Sequence, residues 1–490
     1  MIILSVISVI NFLISFFCDD VEFQVYAVSE RQRRQDAFEI GNKKRNNEFI
    51  RKMKKSTIGL MMVVAGLLCS CNQLQQKGQD TQSSEFENWI SRMTQGTSDP
   101  EAEGVEYERW NVLEDSITIL KRLQKWETYV EEHPKDEMGW RNLYEARIFY
   151  SHFVPDYTSE ANEKEFMARV KKAIPDTYTY YLLAMEASYD WAKCRKYGEE
   201  ALKRLPERPL KEDYDKWCWF LYEKGGKRLD DMLTRYYESG LFPADVLYYH
   251  YNEMQGMEEG GIYLGESEGE LIPKKMIQVV FGLHKDKVLV HRNGDWGTIW
   301  NQCKVPWPDD KWVSALPKYD KSDPARDWYI GNLMILDWIG KHSKHPVYYA
   351  AYAPSLHRKN MPREILKNLY NEGLLVRYSS KPYDNMAVAC RNVEERYLLD
   401  YLYLPFVPAP QENEHYHSDG SWDVRNTVVL LQGLLPHYKK YNPERCHWLS
   451  GLLLKTIEQR SKQGAHTKDF FSDLEPDIRS YHEATKFVEP

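Results

Sequence analysis

Between about Glu85 and Met254, apolar residues recur every three to four positions, and strand-like alternation is nearly absent. In "ITILKRLQKWETYVEEHP" the positions Ile117, Leu120, Leu123 (or Gln124), Tyr129 and Val130 share one helical face, and Pro134 ends the run. "DEMGWRNLYEARIFYSHF" repeats the scheme with Trp140, Leu143, Tyr144 and Ile148. "YTYYLLAMEASYDWAKCRKYGEEALKRLP" reads as a helix pair, and "WCWFLYEKGGKRLDDMLTRYYESGLFP" as another that turns at Gly225-Gly226.

The period changes near residue 255. "GIYLG" (261–265) is a short apolar strand, "PKKMIQVVFGL" (273–283) a helix and "DKVLVHRN" (286–293) a second strand. The amphipathic run 326–344 leads into the strand "HPVYYAAY" (345–352). "PREILKNLYNEG" (362–373) then reads as a helix, with the strand "LLVRYS" (374–379) after it. Strands alternating with helices predict parallel pairing and a layered α/β domain. "WDVRNTVVLLQGLLPHYKKY", "PERCHWLSGLLLKTIEQRSK" and the polar end predict further helices over 411–490.

Two apolar runs precede all of this. The first, residues 1–18, carries no charge. The second opens on Met53, Lys54 and Lys55, continues from Ile58 to Leu68, and closes on Leu68-Cys69-Ser70-Cys71. A basic start, a short apolar centre and small residues at the end are the parts of a secretory signal. The final four residues resemble a bacterial lipobox. Cys71 is the better candidate for lipidation, because Ser70 precedes it while Leu68 precedes Cys69. An ordinary core segment is the competing reading of Ile58–Leu68. Residues 53–70 are expected to form a signal peptide, and residues 1–52 an upstream extension that is spurious or removed. A signal anchor beginning at Met1 is the alternative.

The Gln-rich stretch 71–84 has nothing to bury and predicts a flexible tether. Downstream of Cys71 no apolar run approaches the length of a membrane span. The expectation is a chain lipid-anchored at Cys71 in the envelope of a Gram-negative bacterium, in the periplasm or at the cell surface.

Composition narrows the function classes. Acidic residues (73) outnumber basic ones (65), for a net charge of −8, which argues against a nucleic-acid partner. Aromatic content is 13%, with 34 Tyr and 15 Trp, which suits large interdigitating side chains in helical repeats or a sugar-binding surface. The eight cysteines include no CxxC pair, so neither a zinc ribbon nor a redox motif is signalled.

Two family resemblances add to this reading. Trp140-x-x-Leu143 after a His-Pro break, and Ala201 five positions before Pro206, resemble fragments of the tetratricopeptide repeat. Tyr144 and Gly198 depart from that pattern. The helical region 85–254 is therefore expected to be a TPR-like α-solenoid, the kind of array that presents a face to a protein partner.

The second resemblance covers roughly 255–405. "IYLGESEGELIPKKMIQVVFGLHKDKVLVHRN" is similar to the soluble C-terminal region of protein O-mannosyltransferase-like bacterial membrane glycosyltransferases. The family's acidic loop is matched by Glu268 and Glu270, and Pro273, Gln278, Gly282 and Asp286 fall at matching positions. "GNLMILDWIGKHSKHPVYYA" fits the next helix and strand through Asn332, Asp337, Pro346, Tyr348 and Ala350, and "NEGLLVRYS" and "YDNMA" fit the blocks after it. The resemblance implies a small Rossmann-like parallel-sheet domain (255–410) and a link to envelope glycosylation. The family's catalytic carboxylate and lipid-linked donor site belong to a multi-span portion with no counterpart here, so no catalytic residue carries over.

In open α/β sheets, ligands sit beyond the carboxyl ends of the strands. Those ends hold Glu266, Glu268 and Glu270 after the first strand, and Asn293, Asp295 and Trp296 after the second. Carboxylates beside a Trp suit sugar hydroxyls and ring stacking, or a hard divalent cation; a solvated acidic turn is the plainer account. Glu414, His415, His417 and Asp419 in "ENEHYHSDGSWD" form a polar linker more readily than a zinc site. No cofactor or metal is implied. The expectation is a binding or assembly protein with a protein or glycan partner. An enzyme using Glu268, Glu270 or Asp295, or a purely structural scaffold, are the alternatives.

Overall fold

The computed structural model describes residues 108, 116–292, 296–316, 324–351, 363–403, 419–462 and 471–486. Cys71 and the leader, Asn293, Asp295, Glu414, His415 and His417 lie outside the described residues. So do the side chains of Trp296 and Asp419. The chain divides into two compact units, one holding Asp80–Phe242 and the other Pro243–Phe406 with His417–Pro490. The architecture is mixed: helices dominate, and one unit carries a small five-stranded sheet.

The first unit contains α1 (Ser116–Glu132), α2 (Glu137–Ser151), α3 (Glu160–Ala173), α4 (Tyr178–Glu186), α5 (Trp191–Leu202), α6 (Lys211–Tyr222) and α7 (Lys227–Glu238). Its helix starts are set by side-chain caps. Asp136 accepts from the N–H groups of Met138 and Gly139, Thr177 from Tyr180, and Asp190 from Ala192 and Lys193. Ile119, Leu123, Trp126 and Val130 of α1 close on Trp140, Leu143 and Tyr144 of α2 and on Phe166 and Val170 of α3. Two buried ion pairs tie α2 to its neighbours. Arg141 meets Asp213 of α6 at 2.9 Å, and Arg147 meets Glu163 of α3 at 2.8 Å.

The second unit opens with α8 (Ala244–Gly256) and β1 (Ile262–Gly265), followed by α9 (Glu268–Val280) and β2 (Val288–His291). Next come α10 (Trp296–Cys303), α11 (Asp310–Ala315), α12 (Pro324–His342) and β3 (Val347–Ala350). A short helix α13 (Arg363–Leu366), then β4 (Leu369–Asn371), β5 (Leu375–Tyr378) and α14 (Asn385–Arg391) complete the sheet region. The tail is α15 (Asp419–Gln432), α16 (Leu435–Tyr441), α17 (Pro443–Ser461) and α18 (Glu475–Ala484). Leu374, Tyr401, Val424, Val428, Leu431, Leu449 and Leu453 share one core with Tyr249 of α8.

The sheet order is β2-β1-β3-β5-β4. β1 pairs in parallel with both β2 and β3, while β5 runs antiparallel to β3 and to β4. The sheet is thus mixed, not wholly parallel as the alternation of elements suggested. The reason is local. The run read as the end of a helix at 362–373 contains β4, and the tight turn after it reverses the chain, so β5 returns antiparallel. Gly373 sits at φ +102°, and Asn371 Oδ1 accepts the Gly373 N–H at 2.8 Å, so β4 and β5 form a hairpin.

Alternation on the central strands sorts their side chains. Ile262, Leu264, Val290, Val347 and Tyr349 pack with Ile299 and Trp300 of α10 and with Leu333, Leu336 and Ile339 of α12. Tyr263 takes the opposite face, where Lys274 of α9 meets its ring. Helices therefore cover both faces, and β1 is buried along its whole length.

Gly340 of α12 lies directly on the Tyr378 ring of β5, so any Cβ there collides with an aromatic that cannot swing aside. Gly340→Ala is expected to destabilise the sheet unit by about 1–3 kcal/mol. Thermal unfolding followed by near-ultraviolet circular dichroism checks this, and an unchanged melting temperature contradicts it.

Candidate functional site

The order β2-β1-β3 means that successive connections leave β1 toward opposite sides, which makes the gap between the carboxyl ends of β1 and β3 the switch point of the sheet. Period-two alternation places Leu264 and Glu266 on the same side, and likewise Val290 and Arg292. Tyr349 of β3 shares that side. The three polar residues meet there: Tyr349 Oη donates to Glu266 Oε1, and Arg292 reaches both Glu266 Oε1 and the Tyr349 hydroxyl. The Arg292 guanidinium also lies over the Tyr349 ring, 4.5 Å from its centroid. Arg292 is buried and Glu266 half-buried.

The three glutamates expected to line this end have separate fates. Glu266 faces the switch point and is held by Arg292 and Tyr349. Glu268 is exposed at the start of α9. Glu270 is buried in the first turn of α9, where its Oε2 accepts the Glu266 N–H at 2.5 Å. The sequence reading placed Glu268 and Glu270 in a strand-end loop; the structure places both inside the helix. Acidic side chains complement the positive end of the helix dipole, and the Glu270 contact fastens the β1–α9 connection. The same negative charge disfavours a phosphate at this helix start.

Arg292 and Tyr349 were not anticipated. Their signal was legible only through register: Arg292 lies two positions beyond Val290, at the level of Glu266, and Tyr349 pairs with Leu264.

A second cluster, also unanticipated, supports α9 from behind. Lys274 is completely buried, and its ammonium has three polar neighbours. They are Glu253 Oε2 at 2.5 Å, His250 Nδ1 at 2.8 Å and the Glu270 carbonyl at 3.2 Å. The Tyr263 ring centroid lies 3.9 Å away as a fourth neighbour. His250 Nδ1 also lies 2.7 Å from Glu253 Oε2, and the ring hydrogen-bonds the Gly269 backbone carbonyl. That carbonyl is free for a covalent reason. Residue 273 is a proline inside α9, so the amide that would have bonded four residues back is missing.

Burial, then the adjacent Lys274 charge, pushes the His250 pKa down to about 4. Burial alone would raise the Glu253 carboxyl, but Lys274 and His250 hold it below the usual carboxylate range. On the α8 side, Asp245 meets Arg460 of α17 at 3.5 Å. Asn252 brackets Leu398, donating to its carbonyl at 3.1 Å and accepting its N–H at 2.7 Å.

Among the described residues no group of three or more His, Cys, Asp or Glu is arranged to hold a metal ion. The free cysteines Cys218, Cys303 and Cys446 are buried, and burial raises the thiol pKa of each. In comparisons with known proteins, the chain matches no protein-family model and no curated protein.

The neutral His250 gives a pH dependence with a definite sign. Unfolded histidine titrates near 6.5, so below that pH the unfolded chain takes up a proton that the folded chain refuses until about pH 4. Stability therefore falls as pH falls through this window, by about 2 kcal/mol at pH 5 from this group alone. His250→Gln keeps a polar side chain beside Lys274 and Glu253 but removes the titrating ring. It is expected to show a smaller drop in melting temperature from pH 7 to pH 5 than the wild type; an equal drop contradicts the assignment.

Proposed function

We propose that the chain is a lipid-anchored envelope protein, attached through Cys71, whose sheet unit binds a glycan or a glycosylated protein and performs no chemistry on it. In this reading the sheet unit is a Rossmann-like variant related to the soluble region of the glycosyltransferases it resembles. The helical unit is a TPR-like array that engages a protein partner in envelope glycosylation.

The observation that carries the reading is the condition of the carboxylates at the switch point. Glu266 is neutralised by Arg292 and Tyr349, Glu270 is committed to the β1–α9 connection, and Glu268 stands in solvent. Paired acid–base work needs two carboxylates facing one reacting atom. Holding hydroxyl groups does not, and the exposed Glu268 suits it. The parallel β1–α9–β2 unit supports the Rossmann-like relation. In the helical unit, Ala201 is fully buried and the Phe220 ring packs directly on Gly198, as expected where neighbouring helix pairs nest closely.

Two experiments test these claims separately. Substituting Cys71 with Ala is expected to abolish metabolic labelling by a fatty-acid analogue and to release the protein from membranes; retained labelling removes the anchor from the account. Glycan-array binding of the full chain is expected to weaken about tenfold in Glu268→Gln and in Trp296→Ala. Undiminished binding in both variants moves the glycan away from this end of the sheet.

A further inference from the structure

Nine large hydrophobic side chains are exposed among the described residues, and five of them belong to one end of the helical unit. Trp191, at the start of α5, is 81% exposed and Tyr189 is 64% exposed. Phe153 and Val154, in the connection after α2, and Ile117, in the first turn of α1, are the others.

Hydrogen bonds bring these positions together. Tyr189 Oη donates to the Thr158 carbonyl at 2.5 Å, tying the α4–α5 connection to the turn after α2. Within that turn, the Tyr157 N–H bonds the Val154 carbonyl at 2.9 Å. Tyr150 and Tyr157 line a groove of about 400 Å³ with Leu120, Leu123, Glu127 and Glu131 of α1, and Ile117 lies one turn before Leu120.

We propose that this end of the helical unit rests in the interfacial layer of a lipid bilayer. Two features of the surface select a bilayer over a protein groove or a sugar. The exposed set mixes Phe, Val and Ile, which gain from apolar surroundings, with Tyr and Trp, whose amphipathic rings favour the boundary between apolar and wet layers. The flanking charge on α5 is basic, while Glu160 stands exposed at the start of α3. Lys193, Arg195 and Lys196 stand exposed on α5 directly behind Trp191. Their acidic neighbours hold them loosely: Asp190 is 3.7 Å from Lys193, and Glu223 is 3.9 Å from Arg195, in exposed pairs of little strength. Asp190 is further committed to capping α5. Cations on α5 beside the exposed Trp191 complement anionic headgroups.

The experiment uses the mature chain from residue 71 with Cys71→Ser, which keeps every described residue and has no lipid to bind by. Co-flotation with vesicles of mixed phosphatidylcholine and phosphatidylglycerol is expected, and weaker flotation with phosphatidylcholine alone. The Phe153→Ser/Trp191→Ser double variant, which replaces exposed side chains only, is expected to keep the wild-type melting curve while its bound fraction falls at least about tenfold. Absence of wild-type flotation overturns the proposal, and so does undiminished flotation of the double variant. A wild-type dimer in gel filtration that the double variant abolishes overturns it in favour of a second copy on this surface. None of these outcomes depends on whether Cys71 is lipidated, so failure here is distinguishable from failure of the anchor.

Discussion

Lys274 carries its ammonium into the space between α8, α9 and β1, and the sheet unit is organised around keeping that charge satisfied. A buried cation is tolerable only if each N–H finds an acceptor and a counter-charge lies close. Both conditions are met by residues from different elements: Glu253 and His250 from α8, the Glu270 carbonyl from α9 itself, and the Tyr263 ring from β1. Removing one partner would leave the others buried and unpaired, at a cost of about 3–5 kcal/mol. The cluster thereby fixes the rotation of α8 and α9 about their axes and their distance from β1.

That fixing matters at the other end of the same short helix. Glu270 gives its carbonyl to Lys274 and its carboxylate to the Glu266 amide, so one residue links the buried cluster to the residue facing Arg292 and Tyr349. The polar groups at the switch point are held from two sides, by the sheet register and by the charge cluster behind α9. A surface positioned so firmly is suited to recognition by shape and hydrogen bonding.

Much of this was legible in the sequence, for physical reasons that also mark where legibility ends. The helices of the first unit follow from their apolar period and their Asp and Thr caps, because both signals are local. β1, β2 and β3 follow from short β-branched and aromatic runs between turn residues. The Leu369–Asn371 strand did not: "ILKNLYNEG" has an apolar spacing that fits a helix, and only pairing with β5 decides otherwise. Glu266, Glu268 and Glu270 were found as a group because acidity is visible, but their separation into a paired, an exposed and a buried carboxylate depends on where α9 begins. The Lys274 cluster was invisible. His250 and Glu253 lie in a helix read as part of the repeat region, and nothing in one sequence links them to a lysine 21 positions beyond Glu253.

Pro273 draws a further consequence from this arrangement. By lacking an amide hydrogen, it leaves the Gly269 carbonyl to the His250 ring. A substitution at position 273 that restores the amide would give the carbonyl to the helix and strand the imidazole. A substitution at position 250 without a donor would leave the carbonyl unmet. The two positions are therefore coupled across two helices through one missing hydrogen atom.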